Sequence, residues 1–266
     1  MLFQLFDEFR AAMLPTCSIK CAGAVGLFVI FALCAATANE PSPLSVSPSA
    51  EEIAVVKQHN ARIVANTPEA DGVFAVRDDG SVGHSQSGMI CPATFPNVAF
   101  WHAEVFRSNG GKGEDVGCDY GRNGPDGKWV SKLTIFATKA PSGIALDDVF
   151  ARYRKELLTT YSDAVPTAPA LTIGKDKDGS AVDYRAAAYD VVGKTGSTHE
   201  ELIVGLTGDW MLEVRASYPH AGIVVKNPND KVDLRNQLFD IQSPYLAFLS
   251  AEKSLKNAVA AKPGKN

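Results

Sequence analysis

The sequence predicts an α+β fold: an antiparallel β-sheet built from two three-stranded meanders and covered by helices, an α/β sandwich. Three observations carry that prediction. Apolar residues alternate at period two through the strand segments between residues 98 and 218, and this period sends successive side chains to opposite faces of a sheet. The segments are joined by residues that tolerate positive φ or pre-set a turn, as in Asn109-Gly110-Gly111 and Asn123-Gly124-Pro125-Asp126-Gly127. Each run of strands is then followed by a stretch with three- and four-residue apolar spacing, and runs of strands followed by helices indicate α+β.

The chain opens on a secretion signal. An uncharged apolar run from Cys21 to Ala38 follows Lys20 and closes on Ala36-Thr37-Ala38, the small residues that signal peptidase reads. Asp7 and Glu8 are foreign to the basic flank of a signal, so a start at Met13 is expected, and cleavage gives a mature N-terminus at Asn39. The run is near the minimum length of a membrane span, so contact with a membrane is expected only through an uncleaved signal. This implies a periplasmic or secreted protein.

Residues 39–50, with Pro41, Pro43 and Pro48, read as a flexible linker. Residues 51–252 read as one α+β domain and 253–266 as a frayed tail. Ser49 and Glu52 have capping-box spacing, so a helix starts there, with Ile53, Val56, Ile63 and Val64 on one face and Thr67-Pro68 at its end. Gly72–Arg77 and Ser81–Ser85 flank Asp78-Asp79-Gly80 as a hairpin. Val98–Arg107, Asp115–Tyr120 and Trp129–Thr138 form the first meander, and Leu146, Val149, Phe150, Tyr153, Leu157 and Tyr161 mark a helix to about Ser162. Ala181–Val192, His199–Leu206 and Asp209–Tyr218 form the second. A last helix carries Leu234, Leu238, Ile241, Tyr245 and Leu249 and is expected to break or kink before Pro244.

With 26 basic and 30 acidic residues the chain has a net charge of -4, and removal of residues 1–38 leaves it unchanged. No Lys/Arg cluster offers the basic face that nucleic acid requires. Cys17, Cys21 and Cys34 leave with the signal, so Cys91 and Cys118 remain, and in an oxidising compartment the pair forms one disulfide. A nucleophilic Cys91 assisted by His102 would instead need a free thiolate.

The chemistry-bearing motifs are weak. Ala188–Thr195 ends in Gly-Lys-Thr like a phosphate loop, yet Ala188 replaces the first glycine and the segment falls on a strand and turn. Asp176-Lys177-Asp178-Gly179 opens like a calcium loop with its glycine two places early, and reads as a solvated turn. His59, His84, His102, His199 and His220 include no pair at ligand spacing, so neither metal ligands nor a cofactor is expected. His84 with Ser85 and Ser87 lacks the Gly-x-Ser-x-Gly elbow of a hydrolase. Asp183, Arg185, Glu201, Glu213 and Arg215 form the most informative polar set. Its plain reading is a charge ladder on a solvated or helix-covered sheet face. Its functional reading is a groove that recognises an anionic group through Arg215, with Tyr218 and His220 at the rim.

The order of helix, hairpin, meander ending in Trp129–Thr138, helix, meander ending in Trp210–Pro219 and last helix resembles the PsbP-like superfamily of exported α/β sandwich proteins. That resemblance implies an accessory or binding role for an unidentified protein or small-molecule partner, and assigns no functional residue. The leading expectation is a non-enzymatic envelope protein; the alternative is a hydrolase whose site is dispersed through the fold.

Overall fold

Strands with apolar residues on both faces need a cover on each side, and in this chain one cover is a helix and the other combines a helix with a small sheet. The computed structural model describes residues 49–95, 98–107, 111–123, 129–169, 183–193, 196–219 and 234–261. The expected signal, most of the linker, the Asp176–Gly179 turn and His220 lie outside the described residues, as does the connection centred on Lys194 and Thr195.

Helix α1 (Ala50–Asn66) is closed at its start by the expected capping box: Ser49 Oγ accepts from the Glu52 N–H, and Glu52 accepts from the Ser49 N–H. A small sheet follows, made of β1 (Phe74–Val76), β2 (Val82–His84) and β3 (Ile90–Cys91). The large sheet contains β4 (Thr94–Phe95), β5 (Val98–Val105), β6 (Asp115–Asn123), β7 (Trp129–Lys139), β8 (Val165–Thr167), β9 (Tyr184–Gly193), β10 (Gly196–Thr207) and β11 (Trp210–Pro219). All its pairs are antiparallel in the order β4-β5-β6-β7-β11-β10-β9-β8, so the two sequential runs meet at β7 and β11. Helix α2 (Leu146–Thr160) separates the runs, and α3 (Leu234–Ala261) closes the chain. The short strands β3, β4 and β8 were not expected; two or three residues carry too little periodicity to be read.

Parity along β11 sorts the two cores. Trp210, Leu212, Val214, Ala216 and Tyr218 join Phe100, Tyr120, Ile135 and, from α3, Phe248, Ala251 and Leu255 in the larger core. Met211 faces the other way, where Leu202, Val204 and Tyr189 pack against Leu146, Val149, Tyr153 and Leu157 of α2. Gly205 admits α3 to the sheet, since a Cβ there would lie 2.7 Å from the Phe248 ring. The small sheet is tied to the large one by the Cys91–Cys118 disulfide, with the two Cα atoms 6.3 Å apart and both residues buried.

Two expectations about the C-terminal region are corrected. Helix α3 runs through Pro244 without a break, because Tyr245, Ala247 and Phe248 dock in the core and tertiary packing outweighs the missing N–H. Nor is the chain frayed from residue 253: the helix continues to Ala261, with Leu255 fully buried and the Ser254 hydroxyl accepting from the Ile90 N–H at 3.0 Å. Among the described residues no helix is long and apolar enough to cross a membrane.

Candidate functional site

A surface groove lies between α1 and β5. Helix α1 is held over the β1–β2 turn by Asn60, whose buried amide donates to the Gly80 carbonyl at 2.8 Å, and by the Lys57–Asp78 ion pair at 2.8 Å. Its last turns then present His59, Arg62, Ile63 and Asn66 towards Trp101 and His102 across a groove of about 360 Å³. Trp101 is 39% exposed and stacks on the His102 ring, with centroids 5.4 Å apart.

A β-bulge shapes this wall. The β5–β6 register shifts between Phe100 and His102, leaving Trp101 as the additional residue. Phe100 faces the large core opposite Tyr120, and without the bulge His102, two residues on, would face it too. Instead His102 stands opposite Asp119, on the outer face with Glu104. The ligand atoms of these three side chains lie within 4.8 Å of one another. Burial raises the Glu104 carboxyl, with Asp119 adding to the shift, and burial raises Asp119 as well.

Farther along the same face, Arg215 bonds Glu213 and reaches Glu156 of α2 at 3.2 Å, with its guanidinium over the Phe136 and Tyr153 rings. Tyr218 lies on the opposite face of β11, buried beside His199. The structure therefore places Arg215 and Tyr218 on opposite faces of β11, because an odd residue separation on a regular strand sends the side chains apart, and His220, the third residue of that reading, lies outside the described residues. Arg185 pairs with Asp147 at 2.6 Å and Asp183 at 3.0 Å, and the register places Val204 between Arg185 and Glu213. Glu201 opposes Ala216, on the face of the large core. The single charge ladder expected from parity is thus split into separate clusters.

Glu213 is 3% exposed, and burial pushes its carboxyl up to about 7, outweighing the facing Arg215, while Arg152, Glu156 and Tyr153 close in from α2. The folded chain then binds a proton that the unfolded chain, with a carboxyl near 4.5, does not hold. Because the folded-state value is raised, this contribution to stability is full below about pH 4.5 and is lost as pH rises through about 7. Replacing Glu213 with Gln is expected to remove that loss. The variant's melting temperature should gain on the wild type from about pH 5 to about pH 8 and then hold level. A constant difference across that window would show that Glu213 does not titrate there.

Two histidines resemble parts of catalytic relays. His84 Nδ1 lies 2.7 Å from the Ser87 hydroxyl, but both residues are buried, Ser87 Oγ accepts from the Met89 N–H, and burial lowers the imidazole to about 4. The pair closes the β2–β3 turn. His199 Nδ1 lies 2.8 Å from Asp190 and its Nε2 lies 3.5 Å from Glu201, whose carboxylate also accepts from the Tyr245 hydroxyl at 3.3 Å. Glu201, followed by Asp190, raises the His199 imidazole against burial. This favours the charged form, which has no lone pair with which to act as a base. Cys91 is in the disulfide and has no thiolate to offer His102.

No protein-family model matches this chain, and no curated protein matches it.

The groove residues His59, Arg62, Asn66 and Trp101 were missed by the sequence reading. Of these only His59 entered that reading, as one of five histidines without ligand spacing, and the bulge that turns Trp101 and His102 outward leaves no mark in the local sequence.

Proposed function

We propose that this chain is an exported, non-enzymatic binding protein of the cell envelope, similar in layout to the PsbP-like α/β sandwich proteins, and that it holds its ligand in the α1–β5 groove. The groove's chemistry is the observation that carries this reading. Arg62 and two imidazoles supply donors for an anionic group, Asn66 and Thr67 supply neutral polar atoms, and Trp101 offers an exposed aromatic face. These side chains suit a small anionic molecule, or a segment of a partner, with a flat apolar part. The export signal supports the compartment, and the order of the two strand runs supports the likeness.

The native protein, purified from its envelope fraction, is expected to carry such a molecule, identifiable by mass spectrometry. Arg62→Ala and Trp101→Ala should each weaken its rebinding by about 1 kcal/mol or more, the scale of a charge-assisted hydrogen bond or an aromatic contact. Both side chains lie at the surface, so melting temperature should stay close to that of the wild type. Equal binding by wild type and both variants would place the ligand elsewhere.

A further inference from the structure

We propose that His102, Glu104 and Asp119 bind one divalent transition-metal ion, best matched by Zn²⁺, on the outer face of the β5–β6 pair beside the groove. The donor set is one imidazole nitrogen and two carboxylates, a combination suited to zinc. Their ligand atoms are gathered within 4.8 Å, and His102 Nε2 is 3.7 Å from Glu104 Oε1. Donors about 2.1 Å from a tetrahedral zinc stand roughly 3.4 Å apart, so a small side-chain rotation closes the site.

Three independent features of the fold support it. The bulge at Trp101 turns an imidazole out of the core and sets it opposite Asp119, where regular pairing would have buried it. Asp119 Oδ1 accepts from the Thr134 hydroxyl at 2.6 Å, which orients the carboxylate and leaves its second oxygen for an ion. Among the described residues neither Glu104 nor Asp119 has a Lys or Arg nitrogen within ion-pair distance; the two half-buried carboxylates face the imidazole, and Lys132 acts on Asp119 from farther away. A divalent cation supplies the missing charge. His102 and Glu104 are each more than a third exposed, which gives the ion a way in, and three protein ligands leave a fourth position for water or a ligand donor.

The test uses the mature, disulfide-bonded chain, stripped with a chelator and titrated calorimetrically with Zn²⁺ above neutral pH, with Co²⁺ absorption reporting the geometry. Saturable uptake of one ion per chain is expected. His102→Ala and Asp119→Asn should each lower affinity at least tenfold, and Thr134→Val, which keeps all three ligands, about tenfold through lost orientation. Arg62→Ala should bind Zn²⁺ as the wild type does, which keeps this result separate from the groove's ligand. Absence of saturable uptake by the wild type would mean that the His102 ring and the two carboxylates meet without an ion, and the proposal would fall. Uptake unchanged by both His102→Ala and Thr134→Val would overturn it equally.

Discussion

Removing the disulfide through the double replacement Cys91→Ala/Cys118→Ala is expected to lower stability by about 3–4 kcal/mol on the chain-entropy account. The bond closes a loop with a sequence separation of 27 and joins β3 of the small sheet to β6 at the centre of the first strand run. For a domain of this size the loss corresponds to a fall in melting temperature of roughly 10 °C. Two small cavities add to it, because both cysteines are fully buried beside Tyr120, Met89 and Val82. Thermal unfolding under oxidising conditions, wild type against double variant, measures the effect. Dithiothreitol should bring the wild type down towards the variant and leave the variant itself unmoved. A variant that melts with the wild type would show that the small sheet is held by packing alone.

Leu255→Ala is expected to cost about 2–5 kcal/mol, the range for truncating a fully buried leucine. Leu255 lies in the part of α3 whose sequence reads as a frayed tail, yet this turn is the one that meets the small sheet. The Ser254 hydroxyl accepts from the Ile90 N–H, and Gly88, at φ +77°, lies so close to Ala258 that a Cβ there would come within 2.1 Å of the alanine methyl. Urea unfolding of Leu255→Ala measures the cost, with Lys253→Ala as a surface control expected within about 0.5 kcal/mol of wild type. If the two variants unfold together, the end of α3 does not dock and the larger core stops at Phe248.

The sequence by itself determined the elements that local physics controls. Six strands, three helices and the β1–β2 hairpin follow from apolar spacing and turn residues, and observed ends differ from expected ones by a few residues at most strand and helix termini. Ser49 and Glu52 form their capping box from residues three apart, and Cys91 and Cys118, the last two cysteines once the signal is set aside, are joined. Only the tertiary structure decided how strands pair and what covers them. Pairing of β7 with β11 and cover from α2 turned Glu213 and Arg215 from rungs of a ladder into a pair with a buried carboxylate and a part-exposed guanidinium. Docking of α3 carried a helix through Pro244 and ordered Leu255. One additional residue at Trp101 reversed the parity of β5 and brought His102 to Asp119, seventeen positions away in the chain and directly across the strand pair. Spacing along a sequence reports ligands that share one element; a site assembled across two strands depends on register, and register is set by the contacts of the whole sheet.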